Sequence, residues 1–190
     1  MSHIDEFIKA HQNAIFNLHK DIGIVESAAE RIYETFNLGN KLLIFGNGGS
    51  AADAQHIAGE LVGRFKRERK GLPAMALTTD TSIITAWSND YAFDSVFSRQ
   101  VEAFAKPGDF LWGISTSGNS PNVLYAFDKG RGIGTFNFSM TGGNGGQLKK
   151  KSDLNLNISS DDTPRIQEAH MLAYHLICGL VEDKMFGDSK

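Results

Sequence analysis

A chain of 190 residues, 41% hydrophobic and 22% charged, is long enough for one domain (1–190) with a full core and has the balance of a globular protein. Its formal charge of −3 excludes the strongly basic surface of a general nucleic-acid binder, and no apolar run approaches the roughly 20 residues that span a bilayer. Cys178 is the sole cysteine, which excludes an intrachain disulfide and a cysteine-based metal site, and the polar, acidic N-terminus lacks a secretory layout, so a cytoplasmic protein is expected.

Residues 4–36 read as helical. Ile4, Phe7, Ile8, Ile15, Leu18, Ile22, Val25, Ala29, Ile32 and Phe36 recur at three- and four-residue intervals, with Gly23 as the expected break. This region precedes the first strand and forms an extra layer, whose apolar stripe can pack on the core or on another subunit. Short apolar runs then alternate with helix-like segments: Leu42–Phe45, Ala74–Leu77, Phe110–Ile114, Thr135–Phe138 and Leu154–Ile158. That alternation predicts right-handed crossovers and a mostly parallel sheet covered on both faces. A last helix runs from Pro164 to about Met185, with cap candidates in Asp161-Asp162-Thr163 and Pro164 suited to the first turn.

Three Gly/Ser-rich stretches, Gly46–Ser50, Ser115–Ser120 and Thr141–Gly146, each follow an expected strand, where ligands bind in parallel α/β sheets. Gly46–Ser50 is either an anion-binding turn at a helix N-terminus or a tight turn capped by Ser50. It lacks both the GxGxxG pattern and the P-loop lysine, so no nucleotide site is indicated. Ser115–Ser120 is the stronger phosphate candidate: Ser115, Thr116, Ser117 and Ser120 offer neutral donors ahead of a helix starting near Pro121. Thr141–Gly146 leads into a short Lys-rich helix and is expected to be a structural turn.

Among titratable groups, His56 and Glu60 are four residues apart on one helix face, which by spacing alone reads as a helix-face hydrogen bond. On the last helix, His175 lies eight residues beyond Gln167, about 80° around the axis, so the two can converge on a ligand but are not stacked. His170 reads as a core histidine, and His3, His11 and His19 as helix-surface residues. Asn89-Asp90 reads as a turn. The basic run Arg64–Lys70 is expected to be solvated surface, with Arg64 a weaker candidate for facing an anionic substrate.

Gly46-Asn47-Gly48-Gly49-Ser50, Asp53, His56 and Glu60-Leu61-x-Gly63-Arg64, in that order, resemble the phosphoheptose isomerases of the sugar isomerase (SIS) domain family. So do Ser88-Asn89-Asp90, Ile114 through Ser120, and Arg165-Ile166-Gln167-Glu168-x-His170. The resemblance runs from about residue 4 to 186. It departs at Gly59, where several members carry an acidic residue. The resemblance implies a three-layer α/β sandwich around a five-stranded parallel sheet, and a homotetramer with active sites at subunit boundaries. It implies conversion of sedoheptulose 7-phosphate to D-glycero-D-manno-heptose 7-phosphate. It also implies one zinc ion per subunit on His56, Glu60, Gln167 and His175. Substrate contacts would fall on Asn47, Gly48, Gly49, Glu60, Asn89, Asp90, Ser115, Thr116, Ser117, Ser120 and Gln167, with Glu60 and His175 as the catalytic pair. The rival readings are a non-catalytic scaffold of the same fold that binds the replication initiator, a phosphosugar-sensing regulator, and an isomerase for another sugar phosphate.

Overall fold

The computed structural model describes residues 2–187. Two helices open the chain, α1 (His3–Lys20) and α2 (Ile22–Asn37). The break falls at Asp21 (φ −105°, ψ 20°) and not at Gly23, which lies inside α2. Breaking there turns two separate stripes inward: α1 buries Ala14 and Leu18, and α2 buries Val25, Ala28, Ala29, Ile32 and Phe36.

Strand β1 (Leu42–Gly46) leads to α3 (Gly49–Val62), and β2 (Ala74–Ala76) to α4 (Thr81–Asp90). A short 3-10 turn, Phe93–Ser95, runs into α5 (Val96–Phe104). Then come β3 (Phe110–Ser115), α6 (Pro121–Ile133), β4 (Phe136–Gly142), α7 (Gly146–Lys151), β5 (Leu154–Ile158) and α8 (Thr163–Phe186). The five strands are parallel in the order β2-β1-β3-β4-β5. The central strands β1 and β3 are buried along their whole length, as continuous apolar runs covered on both faces must be. Their residues alternate between two cores. Leu42 and Ile44 join the cluster under α1, α2, α3 and α8, while Leu43 and Phe45 join the one under α5, α6 and α7.

β4 continues to Gly142, four residues past the expected end at Phe138. Ser139 and Thr141 look like loop residues in the sequence, but both are buried and bonded to the next strand. Asn155 Nδ2 donates to Ser139 Oγ (2.8 Å) and to Thr141 Oγ1 (2.9 Å), and Thr141 Oγ1 donates to Asn157 Oδ1 (2.9 Å). These cross-strand pairs let polar residues occupy a buried strand.

The chain leaves β1 toward β2 and returns as β3 on the opposite side of β1. That reversal opens a crevice at the carboxyl ends of β1 and β3, where the loops after both strands meet. No helix among the described residues is long and apolar enough to cross a membrane.

Candidate active site

The two loops at the crevice are locked together. Gly46 packs against the backbone of Ile114, 2.8 Å from where a Cβ would sit. Asn47 and Asn122 exchange side-chain hydrogen bonds, Asn47 Nδ2 to Asn122 Oδ1 at 2.9 Å and the reverse at 2.8 Å. The cap of α3 is Gly48 at φ +55°, a conformation that glycine adopts without strain, and Ser50 is buried one residue inside the helix instead of capping it. Asn122, in the first turn of α6, gave no signal in the sequence because an Asn after Pro is ordinary helix-start composition.

The serine loop departs from a simple helix cap. Ser120 is the N-cap of α6 but makes no side-chain capping bond. Its hydroxyl lies 2.9 Å from Ser115 Oγ, which lies 3.4 Å from Ser117 Oγ. Three neutral donors therefore converge beside a helix N-terminus, an arrangement suited to an anion. Gly118 (φ +64°) makes the turn, and a Cβ there would run into the carbonyl of Gly145. The Thr141–Gly146 stretch is the structural support expected of it: Gly142 N donates to Thr116 O and Leu148 N to Gly118 O, both at 2.9 Å. A polar cavity of about 350 Å³ opens beside Thr116 and Ser117, lined also by Gly143, Ser160 and Thr163.

A second constellation lies further along α3. His56 Nε2 is 3.0 Å from Glu60 Oε1, the helix-face contact that the spacing implies. His175 of α8 adds to it, its ring centroid 5.0 Å from that of His56. Donor atoms of His56, Glu60 and His175 all lie within 4.8 Å of one another. Tyr174, eclipsed in the sequence by its neighbour, orients His56: its hydroxyl is 2.9 Å from His56 Nδ1 and 3.5 Å from Asp53 Oδ1. The proton on His56 therefore sits on whichever ring nitrogen the Tyr174 hydroxyl leaves as donor, and the other nitrogen is free to accept or to ligate. Two imidazoles and a carboxylate, with the other face of the cluster accessible, are a fitting donor set for a divalent metal with an open position. Burial holds the His175 imidazole below its usual pKa, aided by nearby His56 and opposed by Glu60. Burial likewise pushes the Asp53 carboxyl up to about 6, against the lowering effects of Tyr174 and His56.

Three expected site residues stand apart from the His56, Glu60 and His175 cluster within one chain. Gln167 lies against Gly49, where its amide fills the space a Cβ would take. Gly49 and His56 are seven residues apart, about 10 Å of helix rise. Asn89 and Asp90 end α4, exposed and bonded to each other (Asn89 Nδ2 to Asp90 Oδ1, 3.0 Å), with Asp90 beside Trp87 and Arg99 in a separate cavity. His170 is the core histidine that was expected: fully buried, with Nε2 donating to Thr141 O at 3.1 Å. The basic run corrects one expectation. Arg69 is not solvated; its side chain is 2% exposed and paired with Glu182 at 3.0 Å. An arginine that turns inward to meet a carboxylate 113 residues away leaves no local sequence signal.

The SIS domain family matches residues 6–142. The phosphoheptose isomerase of Trichlorobacter lovleyi is 59% identical over 163 residues, 86% of this chain and 83% of that protein. The one from Citrifermentans bemidjiense is 52% identical over 184 residues, 96% of each. The solved structure of phosphoheptose isomerase from Neisseria gonorrhoeae superposes with a TM-score of 0.86 at 42% identity, covering 95% of both chains. Identity at this level across almost the whole length, on the same five-stranded sheet, places the chain in the phosphoheptose isomerase family of SIS-domain proteins.

Proposed function

We propose that this chain converts sedoheptulose 7-phosphate to D-glycero-D-manno-heptose 7-phosphate through an enediol, an early step toward the heptose of bacterial lipopolysaccharide, capsule or other surface glycans. It is a ketose–aldose isomerase, as its family membership requires. The observation that carries the reading is the convergence of His56, Glu60 and His175 on α3 and α8, in a chain whose serine loop gathers three hydroxyls at the N-terminus of α6.

The serine loop binds the phosphate through the Ser115, Thr116, Ser117 and Ser120 hydroxyls, with Asn47, Gly48 and Gly49 across the crevice. Carbonyl transfer then needs a base to take a proton from one carbon and return it to the next, and an acid/base to serve the oxygens. Glu60 moves the carbon proton, and His175 exchanges protons with the oxygens. His56, Glu60 and His175 fit zinc, one per subunit, which when bound would polarise the substrate carbonyl and stabilise the developing enediolate. Gln167 has two implied roles, and its place against Gly49 favours the substrate contact within one chain.

The spacing also supports a homotetramer with shared sites. Gly49 and Glu60 are eleven residues apart, about 16 Å of helix, so the phosphate loop and the proton-transfer groups of one chain sit at opposite ends of α3. Asn89 and Asp90 end α4, with Asp90 lining a separate cavity. A neighbouring copy docked against this chain would bring the missing set together. α1 supplies a surface for it: Ile4, Phe7, Ile8 and Phe16 are 68%, 47%, 52% and 61% exposed. Residues 1–190 then act as one SIS domain, with helices 4–36 packed on it and on neighbouring subunits.

Incubation with sedoheptulose 7-phosphate and detection of the aldose tests the reading. Turnover should disappear on chelation and return with zinc. Absence of turnover under every metal condition would instead favour a non-catalytic scaffold.

A further inference from the structure

The segment Arg64–Lys70 folds back on α3 and α8 in a way that substrate binding does not require. Arg69 Nε donates to Glu182 Oε1 at 3.0 Å, and both side chains are 2% exposed. Arg69 Nη1 donates to the carbonyls of Leu61 (2.7 Å) and Gly63 (3.1 Å), and Nη2 to the carbonyl of Glu60 itself (2.7 Å). A cation at this end of α3 also meets the negative end of the helix dipole. The Glu182 carboxylate accepts the backbone N–H groups of Phe65 (3.2 Å), Lys66 (2.8 Å) and Arg67 (3.0 Å). These bonds hold the carboxyl below its usual range although burial alone would raise it. The folded-back segment lays the Phe65 ring on the His175 imidazole, centroids 5.8 Å apart and planes 20° from parallel.

Glu182 follows His175 by seven residues, two turns on along the same side of α8. One carboxylate therefore ties the end of the helix that carries Glu60 to the helix that carries His175. Burying a charged pair costs desolvation that an apolar contact would avoid. What the pair provides that an apolar contact would not is fixed geometry at both ends. A purely stabilising pair need not grip the Glu60 carbonyl or place an aromatic ring against the imidazole.

We infer that Arg69, Glu182 and Phe65 are positioning residues for the isomerase: the ion pair sets the spacing of Glu60 from His175, and Phe65 sets the plane of the His175 ring. The inference rests on the reading of Glu60 and His175 as the proton-transfer pair and of His56, Glu60 and His175 as the metal-holding set.

Glu182→Gln keeps the volume but turns an acceptor into a partial donor against three backbone N–H groups. Phe65→Leu keeps apolar cover on a half-buried position but removes the flat ring. For each variant and the parent protein, kcat and KM for sedoheptulose 7-phosphate are measured, along with Co²⁺ affinity by absorption titration. The expected result is a fall in kcat of about tenfold or more and a loss of Co²⁺ affinity of about 10- to 100-fold. KM should stay within about twofold, because the serine loop is untouched. A variant with a lowered melting temperature but kcat and Co²⁺ affinity like the parent's would overturn the inference and leave the pair a stabilising element. Should Glu182→Gln fail to fold, parent-like kcat and Co²⁺ affinity in Phe65→Leu overturn it just as well. A parent protein that isomerises the sugar but takes up no Co²⁺ overturns the metal reading instead, and the division of the effect between kcat and KM then decides the positioning role alone.

Discussion

The proposed function places two demands on Glu60, as base and as metal ligand. A carboxylate fully committed to a metal is a weak base, yet it stands 3.0 Å from His56 Nε2 in the same cluster. If Glu60 is the proposed base, charge at this position is indispensable while shape is not. Glu60→Gln should leave secondary structure and oligomeric state unchanged by circular dichroism and gel filtration, while kcat falls by about 10²- to 10⁴-fold. Near-normal turnover would remove Glu60 from the base role. His170 makes a prediction about stability instead of rate. Burial pushes its imidazole from 6.5 down to about 4, and Thr141 O only partly opposes this. Between those values the unfolded chain binds a proton that the folded chain rejects, so stability falls as pH is lowered through that window, by up to about 3 kcal/mol for this group. Asp53, raised to about 6, acts in the opposite sense, because the folded state binds its proton first on acidification. Urea midpoints at pH 7 and pH 4.5, compared for the parent and His170→Gln, isolate the histidine; equal pH dependence in the two would refute the assignment.

At the scale of elements, the serine loop was legible because hydroxyl-rich loops between a buried strand and a Pro-initiated helix have few purposes. Its buttress was not. The Gly142–Leu148 turn holds the loop through backbone bonds to Thr116 and Gly118, and backbone pairing across 26 and 30 residues has no residue code. Gly118 is where the two segments meet. Gly118→Ala adds a methyl against the Gly145 carbonyl at a backbone conformation costing about 1–2 kcal/mol for any L side chain. The loop must shift to accommodate it, so KM for the sugar phosphate should rise about tenfold or more with a smaller change in kcat, measured in the same isomerase assay. The end of β4 was misplaced for a related reason. Ser139 and Thr141 look like loop residues until Asn155 and Asn157 of the neighbouring strand satisfy them.

For the whole molecule, the question is what completes the proposed site, whose halves lie at opposite ends of α3. Phe16 is exposed on α1, the surface proposed to meet a neighbouring copy. Phe16→Glu should therefore shift gel-filtration elution to a smaller species and lower isomerase activity together. Full activity in a monomeric variant would show that one chain suffices. The sequence by itself determined the order of strands and helices, the parallel sheet, the serine loop and the candidate groups, because hydrophobic periodicity and loop composition are local properties. The motif set further identified the family, and every site residue it implied was nameable in advance. Only the tertiary structure decided how those residues group. It joins His175 to His56 and Glu60, sets Gln167 against Gly49, turns Arg69 inward to Glu182, and leaves Asn89 and Asp90 outside. Those groupings depend on how α3 packs against α8 and on which buried polar groups find partners far along the chain, and neither is written in the spacing of residues along one element.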